Sequence, residues 1–330
     1  MTSKGLECAF LLSFRLMNNS FRYLLLLSCI IFNVINVIRT VPKGYLLGAT
    51  YELGPSSDKL YKIDPLTGEF TLFTLLNGYK PDDVTYDLIN KIFYVFVSEA
   101  AVKRESSMSL ILVNPFNGTK QYRPVITENY AELFGLRVDS STGKLYSLQM
   151  SSAEENPVSI VQIDPINFIA TRWVNISKVD GVSPDSMTIF YNSTNHQYFV
   201  TVVSGIKDLL VGIDLIKQKI ISQILNSDLP SYLCYDNKTD AFYGMQRFTN
   251  KRGCRLVRLN PYNGTIDILS DNFNNYEPSA GNCYEGYYFA MIVLNSETQK
   301  ILTFNLNNNG KLISNKSGKE YLCSLAFIPT

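Results

Sequence analysis

The chain has 330 residues, of which 46% are hydrophobic, 12% aromatic and 18% charged, with a formal net charge of +1. That much apolar material excludes general disorder and supplies a sizeable core, and the balanced charge, with no long Lys/Arg run, argues against a nucleic-acid partner. The one histidine, His196, excludes chemistry that needs two histidine ligands; it lies in the polar stretch 191–197 and reads as a solvated turn residue.

The first element is an apolar run. Residues 23–38, YLLLLSCIIFNVINVI, follow Arg22 and precede Arg39. A basic flank and a short apolar stretch form the pattern of a secretory signal, and the run is shorter than the roughly 20 residues that span a bilayer. It predicts a leader over 1–42 and a single domain over 43–330 that enters the secretory pathway. Met17 opens MNNSFRYLLLL and is a second candidate start. No A-x-A-like triplet lies between Ile35 and Lys43, so a cleaved signal peptide and a retained signal anchor both stay open. In the second case the membrane is touched only through the leader.

Downstream, one phrase recurs: apolar residues, then Asp or Asn, often Pro, then a turn. It reads YKIDPLTG at 61–68 and ILVNPFNG at 111–118. Its anchors are Asp64, Asn114, Asp164, Asp214, Asn260 and Asn305, in steps of 50, 50, 50, 46 and 45 residues. Out of phase with it runs a second phrase, an apolar strand, a polar turn and an apolar-aromatic strand. Its first copy runs from Tyr86 and Asp87 to Phe93 and Tyr94, and it returns around Asp139, Asn192, Asp236 and Glu285. Together the phrases give four short strands per unit, in the first unit 83–87, 92–97, 109–114 and 119–125. Thr-Gly and Asn-Gly turns supply residues that tolerate positive φ. Four-stranded units repeating at this spacing are propeller blades.

The two ends complete one another. The C-terminal YLCSLAFIP at 321–329 reads as a first strand, and 45–51, 60–64 and 70–73 supply the other three. The expected fold is therefore all-β: a six-bladed β-propeller with four antiparallel strands per blade, closed by one C-terminal and three N-terminal strands, with no open edge. A monomer is expected. The repeat resembles the YVTN/NHL-like class of β-propeller repeats, carried by residues 61–68 and by FYVFV at 93–97. The resemblance spans nearly all of 45–330 and implies architecture rather than activity.

Beyond the leader, which holds Cys8 and Cys29, lie Cys234, Cys254, Cys283 and Cys323. Four cysteines in a secreted chain point to disulfides, with three connectivities open. Cys234 and Cys283, in LCYD and NCYE, fall on innermost strands of successive blades, where a bridge is geometrically allowed; buried reduced thiols are the competing reading. The sequon N-x-[ST] occurs at Asn117, Asn175, Asn192, Asn237, Asn263 and Asn315. Of these, Asn117, Asn192, Asn237 and Asn263 sit on expected hairpin turns, where an exposed side chain is anticipated.

No nucleophile elbow, zincin motif or phosphate loop is present, and no C-x2-C spacing suggests zinc, so no catalytic residue, cofactor or metal ligand is assigned. The Asp-rich segments 81–83, 139–143 and 236–240 miss the calcium-loop pattern and read as turn formers. Two functions remain. One is a binding or adhesion propeller, secreted or tethered, for an extracellular protein or glycan, with Tyr130, Phe134 and Tyr276 as candidate contact aromatics. The other is a calcium-assisted, lactonase-like hydrolase that uses acids near first-strand ends, namely Asp82, Asp83, Asp185 and Glu277. That second reading rests on fold analogy with six-bladed enzymes similar to gluconolactonase and strictosidine synthase.

Overall fold

A computed structural model describes residues 42–50, 59–98, 108–127, 132–139, 141–150, 158–176, 189–192, 194–204, 207–225, 228–248, 251–294, 298–318 and 320–330. The leader 1–42 with its apolar run 23–38, Cys8, Met17, Cys29, Tyr130 and Asp185 lie outside these residues, Pro42 excepted.

Six antiparallel sheets form the six blades. The closing blade holds β1 (Gly44–Thr50), β2 (Lys59–Ile63) and β3 (Phe70–Leu75). Blade 1 is β4 (Lys80–Asp87), β5 (Ile92–Ser98), β6 (Met108–Val113) and β7 (Lys120–Pro124). Blade 2 is β8 (Glu132–Val138), β9 (Leu145–Met150), β10 (Val158–Ile163) and β11 (Ala170–Ile176). Blade 3 is β12 (Ile189–Asn192), β13 (Gln197–Ser204), β14 (Lys207–Asp214) and β15 (Lys219–Leu225). Blade 4 is β16 (Ser231–Asp236), β17 (Ala241–Arg247), β18 (Gly253–Leu259) and β19 (Ile266–Ile268), with the short β20 (Phe273–Asn274) also on β18. Blade 5 is β21 (Glu277–Tyr284), β22 (Tyr287–Val293), β23 (Gln299–Asn305) and β24 (Lys311–Gly318). The last strand, β25 (Leu322–Pro329), pairs with β1, so the closing blade has the order β25-β1-β2-β3. Termini thus complete one sheet, as the repeat arithmetic requires.

Strand composition explains the packing. Along β5, Phe93, Val95 and Val97 join the apolar layer shared with the closing blade, while Tyr94 and Phe96 join the layer shared with blade 2. Alternate side chains therefore serve opposite neighbours, and both faces are buried, so the strand reads as a continuous apolar run. Similar layers join blades 2 and 3, 3 and 4, and 4 and 5. Each of these layers, among the described residues, is shared between two blades.

All six anchors of the repeat do the same work. Asp64, Asn114, Asp164, Asp214, Asn260 and Asn305 each accept a backbone N–H two or three residues on, for example Leu66 at 2.8 Å, Ile166 at 2.7 Å and Tyr262 at 3.0 Å. These are the Asx caps of the turns between third and fourth strands. The turns between first and second strands use the same device: Asp87 receives Ile89 and Asn90, and Asp139 receives Ser141. The Asp-rich segments at 139–143 and 236–240 are therefore turn caps, as their composition implied, whereas 81–83 departs from the turn expected and lies within β4, at its register shift.

The meander fixes two faces. Turns joining first to second and third to fourth strands lie on one face, here the turn face, with the paired ends Lys43 and Thr330. Connections between second and third strands, and links between blades, lie on the opposite face, the link face.

Candidate functional site

The first strands β25, β4, β8, β12, β16 and β21 form the inner ring, each touching the first strands of its two neighbours. They enclose a central channel of about 400 Å³. Its wall is polar and aromatic, with Tyr86, Tyr191, Tyr235 and Tyr284 among the lining residues.

Five of the inner strands are irregular near their link-face ends. Register shifts fall between Pro81 and Asp83, Phe134 and Leu136, Ser231 and Cys234, and Pro278 and Ala280, and in β25 opposite Ala49 and Thr50. Such bulges add an unpaired residue and re-aim side chains. The residues they set apart include Asp82, Gly135, Tyr232 and Cys323, all of which line the channel. Tyr232 holds φ +53°, the left-handed region that a bulky residue seldom adopts. It is held there by its surroundings: the Tyr288 hydroxyl donates to its carbonyl at 2.9 Å, and Gly281 leaves room where a Cβ would meet the Tyr288 oxygen at 2.4 Å. Burial pushes the Tyr232 phenol up to about 12, with the Arg247 guanidinium pulling the other way.

Of the acids expected near first-strand ends, Asp82 and Asp83 line the channel. Asp83 is fully engaged. Its Oδ2 accepts from Arg137 at 2.6 Å and from the Leu136 N–H at 2.9 Å. Its Oδ1 accepts from the Val84 N–H at 2.8 Å and the Ser324 hydroxyl at 3.0 Å. Three blades thus converge on one carboxylate. The Tyr198 hydroxyl is buried near this pair with no hydrogen-bond partner among the described residues. Glu277 starts β21 and pairs with Arg252 at 3.0 Å. Among the described residues, no group of three or more His, Cys, Asp or Glu side chains is placed to hold a metal ion.

Cys234 and Cys283 form a disulfide between inner strands β16 and β21, with Cα atoms 5.7 Å apart. Cys254 and Cys323 are free thiols, and burial pushes each up to about 12. The bridge lines the channel and staples blades 4 and 5.

His196 departs from the solvated residue expected. It sits on a turn, but its Nδ1 lies 3.1 Å from the Tyr191 hydroxyl and 3.3 Å from Asp139 in blade 2. Proximity of successive first hairpins makes it an inter-blade contact. Asn192 also departs: it is 2% exposed, and its Oδ1 accepts the N–H groups of Thr194 and Asn195. The other sequon residues, Asn117, Asn175, Asn237, Asn263 and Asn315, are exposed. Phe134 and Tyr276 are partly buried and pack against apolar layers, so they serve the core first.

No family model matches the sequence, and no curated protein matches it. Solved structures do resemble the fold. A chain of the nidogen/laminin complex aligns with TM-score 0.60 at 12% identity, over 86% of this chain and 97% of that one. TolB from Acinetobacter baumannii aligns with TM-score 0.61 at 9% identity, over 87% and 67%. The periplasmic gluconolactonase of Pseudomonas aeruginosa aligns with TM-score 0.55 at 11% identity, over 86% and 99%. At these identities the likeness is one of fold alone, and the protein is a six-bladed β-propeller.

Proposed function

We propose that this propeller is a binding or adhesion module that works outside the cell and takes an extracellular protein or glycan. The observation that carries the reading is the state of Asp83. Its two oxygens are occupied by Arg137, Leu136, Val84 and Ser324, so the channel's best-placed carboxylate is spent on joining blades. What the channel offers a ligand is chiefly tyrosine, amide and guanidinium groups on a rigid ring, with the carboxylates of Asp82 and Glu285 also in its wall, a mixed polar and aromatic surface suited to recognition. The fold likeness to a gluconolactonase supplies the competing lactonase reading, but Glu277 is paired with Arg252 and Asp185 lies outside the described residues.

An extracellular site of action is supported by the Cys234–Cys283 bridge, since such bonds persist in oxidising compartments. It is also supported by the exposure of five of the six sequon asparagines. Among the described residues no helix is long and apolar enough to cross a membrane. Whether the leader is cleaved or retained, the domain reaches the same side.

The test is a screen of the full-length protein, made in a secretory host, against immobilised glycans and extracellular proteins, alongside calcium analysis. Ligand capture by metal-free, folded protein, weakened by Tyr86→Ala or Tyr284→Ala, is the expected result. Stoichiometric calcium together with lactone hydrolysis that chelation abolishes would replace the reading with the enzyme.

A further inference from the structure

The chain carries nearly balanced charge overall, yet residues 241–266 contain Arg247, Lys251, Arg252, Arg255 and Arg258 and no Asp or Glu. The fold divides that set. Arg258 lies toward the turn face, where it pairs with Asp267 at 2.7 Å. The other four gather at the link-face end of the β17–β18 hairpin, with Arg247, Lys251 and Arg252 exposed.

Their positions are held rather than loose. Lys251 Nζ lies 5.3 Å and the Arg255 guanidinium 5.5 Å from the Phe248 ring, two cation–π contacts that share one aromatic side chain. Gln246 Oε1 accepts from both Nε and Nη2 of Arg255, at 3.0 and 2.9 Å, which fixes the plane of that guanidinium. In blade 5, Lys300 lies 4.7 Å from the Tyr276 ring. The acidic group paired within this cluster is Glu277, on Arg252. Arg247 also lines the channel, so the cluster reaches the link-face mouth.

We infer that this hairpin is a docking surface for a sulfated polysaccharide, a conclusion that rests on the binding-module reading and names its ligand class. Charge complementarity carries it. Guanidinium groups match planar or tetrahedral oxyanions bidentately, are weakly hydrated and stay charged at any physiological pH. Aromatic rings between them add apolar contact for the sugar faces and keep the cations from collapsing onto one another's shells. In the oxidising compartment that the disulfide implies, polymers with a high density of fixed negative charge are chiefly sulfated or carboxylated glycans.

The experiment uses the secreted full-length protein and size-defined heparin oligosaccharides, with hyaluronan and polyglutamate as unsulfated polyanions. Affinity is measured across salt concentrations. Heparin binding is expected to weaken with salt, and the triple variant Lys251→Gln, Arg252→Gln, Arg255→Gln, which leaves the channel-lining Arg247 in place, is expected to lose at least ten-fold in affinity and roughly three from the log–log salt slope. A control triple variant on the turn face, Lys91→Gln, Lys217→Gln, Lys238→Gln, is expected to bind as the parent does, with unchanged melting temperature for both variants. Absence of heparin binding at low salt, equal loss in the control, or equally tight binding of polyglutamate would each overturn the inference. If a channel-dependent ligand from the wider screen binds the hairpin variant at full affinity while heparin does not bind, the hairpin proposal fails and the binding-module reading stands. If nothing binds either surface, both fall.

Discussion

Asp236 Oδ1, at the end of inner strand β16, accepts a hydrogen bond from the backbone N–H of Gly286 in the next blade at 2.7 Å. The other oxygen receives the Thr239 N–H at 2.9 Å and its hydroxyl at 2.7 Å. One buried carboxylate, 1% exposed, therefore closes its own turn and ties down that of its neighbour. Asp236→Ala orphans both backbone donors and is expected to cost about 2–4 kcal/mol in denaturant unfolding. Asp236→Asn keeps one acceptor and should fall between. If the alanine variant unfolds with the parent, the carboxylate has no part in joining blades.

The Cys234–Cys283 bridge closes a loop with a sequence separation of 49. Chain-entropy arguments assign such a loop about 4 kcal/mol. Replacing both cysteines with serine should lower the unfolding midpoint accordingly, and the same shift should follow reduction of the parent. Peptide mapping without reductant is expected to link these two residues and to recover Cys254 and Cys323 as thiols after denaturation. A different pairing would undo the prediction.

Acid sensitivity should track Asp139. Burial works to raise its pKa, but hydrogen bonds from Ser141, Thr142 and Tyr191 together outweigh it, and the carboxyl ends below the usual value. A lowered folded-state pKa adds stability that is present above the unfolded pKa of roughly 4 and is lost as pH falls through the folded value. The parent should therefore lose stability below about pH 4, while Asp139→Asn should be less stable at neutral pH and show a shallower acid slope. Parallel slopes for the two proteins would place the acid response elsewhere.

Gly281→Ala addresses the channel wall. The added Cβ would meet the Tyr288 oxygen at 2.4 Å and the Tyr232 Cβ at 2.9 Å. Overpacking of this kind costs about 1–3 kcal/mol. Tyr232 is expected to shift, so any channel ligand should bind more weakly while a ligand of the β17–β18 hairpin does not. Unaltered stability with unaltered binding would show the site to be softer than its contacts imply.

Glycan occupancy should follow exposure. In protein from a secretory host, modification is expected among Asn117, Asn175, Asn237, Asn263 and Asn315, with Asn192 bare because its side chain caps a turn. Quantitative modification at Asn192 would contradict that packing.

Blade number and ring closure were legible because they rest on short-range chemistry. The anchors Asp64 to Asn305 each act on a backbone N–H two or three residues away, so the turn that uses them is written beside them. The alternation in β5 likewise lies within one strand. The site was less legible for the opposite reason. Asp83 meets Arg137 and Ser324, partners 54 and 241 residues distant, and nothing local to Asp83 announces them. The bulge that sets apart Tyr232 carries no Gly or Asn to mark its positive φ. The basic hairpin did leave a trace, an acid-free stretch over 241–266, but its aromatic spacers align with the cations only once β17 and β18 are paired. His196 and Asn192 sit on a turn yet are drawn inward, because first-hairpin turns of adjacent blades abut and the Asn192 side chain caps its own turn, neither of which the local sequence announces.

The split blade imposes an order on synthesis. β1 leaves the ribosome with one edge unpaired, and its partner β25 follows only after every other strand of the ring has been made. At ordinary elongation rates of roughly 5–20 residues per second, Gly44–Thr50 must wait some tens of seconds for a neighbour. Throughout that interval the nascent chain carries an exposed apolar edge suited to pairing with other chains. A stop before Leu322 would leave that edge permanently open, so truncations that remove β25 should be trapped by chaperones and degraded far out of proportion to the residues they remove.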